Sequence, residues 1–135
     1  MSTTETPSEL DARKRRLRGE MRARLRATPP AELVADGATA GALIAALLER
    51  EAQPGPVALF AARPFEIDTR ALDDAMRATG RVRLLPSIHG DRLIFRAVPA
   101  AVAICDLPVD RFGIPTPSVE APPVPLATAV VVVVP

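Results

Sequence analysis

Two cationic side chains, Lys14 and Arg18, are the first candidates for a binding function. They are four residues apart, so a helix would project both from the same face. Two cations on one face can hold a polyphosphate, because they donate charged hydrogen bonds to phosphate oxygens. The alternative is a solvated basic face, since eight of the 17 basic residues lie between Arg13 and Arg26. Arg22, one turn further on, is expected to lie on the surface.

A carboxylate near the middle of the chain is the second candidate. Glu66 follows a short apolar segment that is typical of a buried strand and stands beside Pro64 and Phe65. A carboxylate in that position can accept hydrogen bonds from a nitrogen-containing ring. The alternative is an ordinary loop carboxylate that pairs with Arg63 or Arg70.

The other residues that could do chemistry favour structural interpretations. His89 is the only histidine and is expected in an exposed turn, and without a second His or Cys at ligand spacing no zinc site is predicted. Cys105 lies in an apolar stretch and is expected to be buried rather than to act as a nucleophile. Three acidic residues are expected to stabilise the N-terminus of a helix through its dipole: Asp68, Asp73 and Asp74.

The basic segment lies on a predicted N-terminal helix with one buried face. Ser8 or Thr6 is expected to cap this helix, and Pro29-Pro30 to end it. A second helix is predicted over residues 31–50, with Gly37 and Gly41 interrupting its pattern. The apolar face of the first helix consists of Leu10, Leu17, Met21 and Leu25, and that of the second of Leu33, Val34, Leu43, Ile44, Leu47 and Leu48.

Short apolar segments alternate with the helices and predict a sheet. Thr69 is expected to cap a helix that ends at Gly80, with Leu72, Ala75 and Met76 facing inward. Pro86 is expected to end the strand before it. The predicted strands cover residues 57–62, 82–85, 93–95 and 129–134. This alternation predicts an α/β fold with a mostly parallel sheet between helical layers, in which the valine-rich last strand is central and buried on both sides.

The composition limits the classes of function. The 135 residues suffice for one domain, and 48% apolar with 24% charged residues is typical of a globular protein. The 17 basic and 16 acidic residues nearly cancel, which excludes steering of the whole molecule toward nucleic acid. A single cysteine excludes an internal disulfide framework and fits a reducing compartment. No run of about 18 apolar residues is present, so we predict no membrane-spanning helix and expect a cytoplasmic location.

Four local patterns, taken in order, resemble one known family. They are Lys-Arg-Arg-Leu-Arg-Gly-Glu-Met at residues 14–21, Phe-Glu-Ile-Asp-Thr at 65–69, Phe-Gly-Ile-Pro at 112–115, and an apolar strand that closes in Pro135. Their order and spacing are similar to those of the 5-formyltetrahydrofolate cyclo-ligase family, also called methenyltetrahydrofolate synthetase. The resemblance covers residues 12–135.

The resemblance implies an ATP-dependent ligase with a single α/β/α domain. Members of the family use ATP and Mg²⁺ to activate the formyl oxygen of 5-formyltetrahydrofolate; nitrogen 10 then attacks, and loss of phosphate leaves 5,10-methenyltetrahydrofolate. Lys14 and Arg18 match the cations that contact the ATP phosphates, and Glu66 matches the glutamate that holds the folate. The implied partners are therefore ATP and a folate, with no nucleic acid and no membrane. No catalytic residue and no Mg²⁺ ligand is assigned within the chain.

The resemblance also implies features that this sequence does not contain. Phe65 stands where the family usually has glycine or a polar residue, and the family continues beyond the closing proline into a glycine-rich loop around the nucleotide phosphates. The seven glycines of this chain form no such loop. We therefore expect residues 10–135 to be the N-terminal part of a single cyclo-ligase-like domain, inactive alone and preceded by a flexible segment at residues 1–9. The strand at 129–134 would then have one uncovered edge and promote self-association.

Two other functions depend on the same residues. An anion-binding or nucleic-acid-binding module would use the basic helix 13–26, although that segment has no interleaved aromatic side chains on which bases could stack. A non-catalytic remnant or regulatory partner would keep the fold without the chemistry.

Overall fold

The computed structural model describes residues 6–51 and 53–135. The predicted flexible segment at residues 1–9 lies mostly outside the described residues, and from Pro7 onward the chain is helical. The helices are α1 (Pro7–Ala27), α2 (Pro30–Glu51) and α3 (Arg70–Ala78), and the strands are β1 (Val57–Ala58), β2 (Arg83–His89), β3 (Arg92–Val98) and β4 (Val131–Val132). Short 3₁₀ turns lie at Ile104–Asp106 and Leu126–Thr128.

The four strands form an open sheet in the order β3-β2-β1-β4. β1 lies between β2 and β4 and is parallel to both, whereas β2 and β3 form an antiparallel hairpin. Gly90 turns this hairpin with φ at 64°, a conformation that glycine adopts without steric cost. The predicted α/β fold with a mostly parallel sheet is therefore confirmed.

The core forms where α2 and α3 pack against the sheet. Leu48 of α2 and Met76 of α3 are buried with Val57 of β1 and Leu85 of β2. Gly37 and Gly41, which interrupt the helical pattern in the sequence, are both buried at the contact between α2 and the start of α3. Only a residue without a side chain permits this approach, because a Cβ atom at Gly37 would lie 2.1 Å from the carbonyl oxygen of Asp68. The two glycines therefore allow the helices to pack closely.

The length and apolar composition of α2 bear on the expectation that no helix spans a membrane. Among the described residues α2 is the one helix long and apolar enough to cross a membrane, although it contains no unbroken run of about 18 apolar residues. Core helices of soluble proteins share this composition, so it is weak evidence for a membrane span. Leu33 and Leu48 are buried as predicted, whereas Val34, Leu43 and Leu47 are exposed. The structure is compatible with a soluble protein.

The first helix is capped as predicted but not buried as predicted. The hydroxyl oxygen of Thr6 accepts a hydrogen bond from the backbone N–H of Glu9, and the Glu9 carboxylate accepts one from the backbone N–H of Thr6. None of the side chains of α1, all of which the structure describes, is buried. Leu10, Leu17 and Met21 are 40–48% exposed. The apolar stripe of α1 is therefore only half covered, because part of it faces a cavity rather than another element.

Pro86 does not end β2, contrary to the prediction. Leu84 offers its carbonyl oxygen to the N–H of Leu59, on the side of β2 away from β3. Pro86, two residues later, directs its nitrogen to that same side. Because β1 pairs only with Arg83 and Leu84, the N–H that Pro86 lacks is not needed as a donor on that side. β2 therefore continues to His89 as the partner of β3.

The valine-rich last strand is shorter and more exposed than predicted. β4 pairs with β1 at Val131 and Val132 and forms one edge of the described sheet rather than its centre. Val132 is 45% exposed and Val134 is 73% exposed. β1 is also shorter than the predicted strand 57–62. Self-association through the edge of β4 stays a prediction.

Candidate functional site

A cleft of about 630 Å³ lies at the carboxyl ends of the parallel strands β1 and β4. Phe60 and Thr69 from the β1–α3 connection form one wall, and Val133 and Val134 follow directly from β4. α1 supplies the opposite wall, with Met21 and other side chains of the half-covered stripe. The carboxyl ends of parallel strands are where open α/β sheets bind ligands. The topology therefore places this cleft where a ligand site is expected.

Two of the three predicted binding residues line this cleft. Arg18 of α1 and Glu66 of the β1–α3 connection both border it. Lys14 does not border it, but lies one helical turn from Arg18 on the same face of α1. Arg22 and Asp68, which the sequence interpretation did not assign to binding, also line the cleft. Arg22 is exposed, as expected, but it is directed to the same cavity as Arg18.

A tight turn presents Glu66. Its Oε2 atom accepts a hydrogen bond from the backbone N–H of Arg63 at 2.8 Å, and its own N–H donates to the Arg63 carbonyl at 3.0 Å. Phe65 in this turn has φ at 70°, in the left-handed region that favours glycine. Within the described chain, Oε1 of Glu66 accepts no hydrogen bond. One carboxylate oxygen thus fixes the turn, and the other is available to a ligand.

Thr69 stabilises the same wall, in a way that differs from the predicted helix cap. Its hydroxyl donates to the carbonyl of Phe60 at 3.0 Å and accepts from the N–H of Ala62 at 3.4 Å. The side chain makes no capping hydrogen bond to α3. Thr69 therefore links the start of α3 to the segment directly after β1 by hydrogen bonds. These bonds hold together the two ends of the loop that contains Glu66.

Asp68 pairs with Arg70 at the entrance to α3. The Nε and Nη2 atoms of Arg70 donate to Oδ2 of Asp68 at 2.9 and 2.6 Å, and the backbone N–H of Arg70 donates to Oδ1 at 2.8 Å. These hydrogen bonds from Arg70 lower the pKa of the Asp68 carboxyl group below its ordinary value. The negative charge of Asp68 is therefore already matched, although the residue lines the cleft.

The depressed pKa of Asp68 predicts a specific loss of stability in acid. An unfolded chain, with the ordinary aspartate pKa of about 3.9, takes up this proton before the folded protein does. The stabilisation from Asp68 is thus complete above about pH 4 and is lost as the pH falls through the folded value. We expect Asp68→Asn to flatten the dependence of the unfolding free energy on pH between about pH 2 and 4. Denaturant unfolding at several pH values measures this slope.

The control for this experiment is Asp91→Asn, in the exposed turn between β2 and β3. It removes the same charge away from the Asp68–Arg70 pair and should leave the acid slope unchanged. Equal slopes in the wild type and in Asp68→Asn would contradict the role given to the pair.

A buried ion pair is the feature that the sequence interpretation missed. The sequence predicts that Asp73 acts through the helix dipole, but its Oδ1 atom accepts from Nε of Arg83 at 2.6 Å and its Oδ2 from the N–H of Ile104 at 2.9 Å. Both side chains of the pair are at most 3% exposed. Arg83 also donates to the carbonyls of Pro99 and Val102. The pair thus joins α3, β2 and the segment after β3.

The lone cysteine and histidine show no sign of a site. Cys105 is exposed, contrary to the prediction of burial, because the 3₁₀ turn at Ile104–Asp106 directs Ile104 into the core instead. His89 is exposed at the hairpin, as predicted. Across residues 6–51 and 53–135, no three His, Cys, Asp or Glu side chains are grouped so that they could hold a metal ion.

A second cavity, of about 600 Å³, lies at the opposite end of the sheet, beside Gly80 and Leu84. Its arginine, Arg81, already donates to the carbonyls of Gln53 and Gly55. The cleft at the carboxyl ends of the strands has the larger set of charged groups that a ligand could use. We therefore treat that cleft as the candidate site.

The chain matches no protein-family model, and no curated protein sequence is significantly similar to it. The geometry of the cleft and the chemistry of its side chains are therefore the basis for a functional proposal.

Proposed function

We propose that the cleft binds ATP and 5-formyltetrahydrofolate, as part of a 5-formyltetrahydrofolate cyclo-ligase that forms 5,10-methenyltetrahydrofolate. The observation that carries the proposal is that Arg18 and Glu66 line one cavity. The resemblance assigns one residue to a phosphate and the other to a folate ring. The spacing of two such distant positions in the sequence does not by itself require them to meet.

The size and lining of the cleft support a ligand of this kind. Its volume of about 630 Å³ lies within the range of about 300–1,000 Å³ that small-molecule sites occupy. Ile44, Phe60, Ile67 and Leu72 give it an apolar interior. A flat ring system can fill that interior, and charged side chains at the rim can hold its polar groups.

Each predicted residue has a role that its position permits. Arg18, with Lys14 one turn away, would hold phosphate oxygens through charged hydrogen bonds. Oε1 of Glu66 would accept hydrogen bonds from the N–H groups of a pterin ring. ATP supplies the phosphoryl group in such a reaction. We assign no residue to Mg²⁺, because the described residues offer no cluster of ligands for it.

The location proposed for this activity is the cytoplasm. A reduced folate and ATP are substrates of a reducing compartment, and the single cysteine suits one.

An anion-binding role of α1 alone is the second candidate. The observation in its favour is that none of the side chains of α1, fully described from Pro7 to Ala27, is buried, so its basic residues face solvent. This function requires neither Glu66 nor the apolar interior. Binding experiments with variants of both walls therefore separate it from the ligase proposal.

Arg18→Ala should weaken ATP binding about tenfold or more, because a charged hydrogen bond to phosphate contributes roughly 1.5–3 kcal/mol. Glu66→Ala should weaken binding of 5-formyltetrahydrofolate by a similar factor and affect ATP much less. Isothermal titration calorimetry measures both, and it needs no intrinsic fluorophore in a chain without Trp or Tyr.

The matched control is Arg16→Ala. Arg16 is two residues from Arg18, about 200° around the helix axis, and it pairs with Glu20 at 3.7 Å. Its loss should change either affinity by less than about twofold. Equal losses of ATP binding in Arg16→Ala and Arg18→Ala, with no effect of Glu66→Ala on the folate, would favour the anion-binding role instead.

A further inference from the structure

Arg22 extends the cationic wall of the cleft beyond the two residues assigned to phosphate. It follows Arg18 by four residues, which places it about 6 Å further along the axis of α1 and about 40° around it. Both side chains line the cavity. Lys14 precedes Arg18 by the same interval, so three cations stand on successive turns of one helix face.

The two arginines form no ion pair across the cleft. Within residues 6–51 and 53–135, no acidic side chain lies within ion-pair distance of Arg18 or Arg22. On the opposite wall the charge of Asp68 is matched by Arg70, and one oxygen of Glu66 accepts from the N–H of Arg63. Like charges four residues apart on a helix repel by a few tenths of a kcal/mol. A bound anion would relieve that repulsion and supply the missing counter-charge.

The shape of this wall indicates which anion fits. A row of three cations at steps of about 6 Å is longer than one carboxylate or one phosphate can span. Met21 and Leu25 lie beside Arg18 and Arg22 on the cleft wall and direct apolar surface to the interior. The row therefore suits a chain of phosphates whose terminal group reaches the apolar interior.

We infer that Arg22 is a further phosphate-binding residue and that it selects a polyphosphate over a monophosphate. This inference rests on the proposed function for its ligand, ATP. Lys14, Arg18 and Arg22 contact successive phosphates along α1, with Arg22 at the terminal phosphate, which points to the interior that the folate ring would fill. Removal of Arg22 then weakens the binding of ATP more than the binding of AMP, which has too few phosphates to reach all three cations.

The test compares five proteins by titration calorimetry at fixed ionic strength: the wild type, Arg22→Ala, Arg22→Lys, Arg18→Ala and Arg16→Ala. We expect Arg22→Ala to weaken ATP binding about tenfold or more, and AMP binding less than threefold. Arg22→Lys should recover part of the loss, because a lysine keeps the charge without the planar fork. Arg16→Ala should bind as the wild type does. Circular dichroism melts confirm that each variant is folded.

The outcomes separate this inference from the proposed function. If Arg22→Ala binds ATP as Arg16→Ala does, while Arg18→Ala binds weakly, the role of Arg22 is wrong and the ligase proposal stands. If sodium tripolyphosphate binds in an Arg22-dependent way and 5-formyltetrahydrofolate does not bind, the role of Arg22 stands and the ligase proposal fails. Failure of ATP and tripolyphosphate to bind the wild type overturns both.

Discussion

Replacement of Asp73 by alanine is expected to destabilise the folded protein by about 3–5 kcal/mol, because it leaves the charge of Arg83 buried without an opposite charge. Arg83 is fully buried, and Asp73 is the acidic residue that pairs with it. The same substitution removes the acceptor of the Ile104 N–H. For a domain of this size such a loss is a large fraction of the total stability. Denaturant unfolding followed by far-ultraviolet circular dichroism measures it.

Two further variants make this prediction specific to the ion pair. Asp74→Ala removes the neighbouring carboxylate, which is 71% exposed and 3.5 Å from Arg77, and should cost less than about 1 kcal/mol. The double variant Asp73→Leu with Arg83→Met replaces the pair by apolar side chains and should recover much of the stability lost in Asp73→Ala. Similar stabilities for Asp73→Ala and Asp74→Ala would contradict the structural role of the pair.

Gly37→Ala is expected to destabilise the protein by about 3 kcal/mol, although alanine is the better helix former. The added Cβ would lie 2.1 Å from the carbonyl oxygen of Asp68, and this contact involves backbone atoms that no rotamer change can move. α2 and the β1–α3 connection would have to separate. Because Gly37 and Asp68 both line the cleft, we also expect weaker ligand binding. Thermal unfolding measures the first effect and calorimetric titration the second.

Gly19→Ala is the matched control, since it makes the same change in the middle of α1. No atom lies within 4 Å of the Cβ that it would add. It should therefore stabilise α1 by about 0.5–1 kcal/mol, through the lower conformational entropy of the unfolded chain. Amide hydrogen exchange in α1 reports this gain. If both substitutions destabilise the protein equally, the close approach at Gly37 is not what constrains the helix packing.

Local patterns in the sequence predicted where helices and turns form better than they predicted which side chains are buried. The capping box at Thr6 and the turn at Gly90 depend on neighbouring residues only, and both were predictable. The burial of the stripe on α1 was not, because apolar periodicity shows which face is apolar but not whether another element covers it. The exposure of Cys105 depends likewise on the direction of one 3₁₀ turn.

Charged residues in the core were the least predictable. Arg83 follows Val82 and precedes two leucines. In such a pattern a lone arginine resembles a residue at the exposed end of a strand. Its burial depends on Asp73, ten residues earlier, and on carbonyl groups after β3. A pairing between distant segments leaves no periodic signal. An arginine within an apolar strand is a sign to search for a buried partner.

The candidate site was predictable only in part, because it also forms between distant segments of the chain. Residue type and the resemblance predict Arg18 and Glu66 as binding residues, and the topology brings both to one cleft. The sequence predicts Arg22 only as a surface residue, because only the tertiary structure shows that its side of α1 faces a cavity.

The most direct test of the proposal is a nuclear magnetic resonance titration of the ¹⁵N-labelled chain with 5-formyltetrahydrofolate and with ATP. Because ring and phosphate would occupy one cleft, we predict that the largest shift changes fall on amides that surround it, including Arg18, Glu66, Thr69 and Val134. Amides at the opposite end of the sheet, such as Gly80 and Arg81, should shift little. Saturable changes confined to the cleft would support the account, and an absence of changes, or changes centred on Gly80 and Arg81, would contradict it.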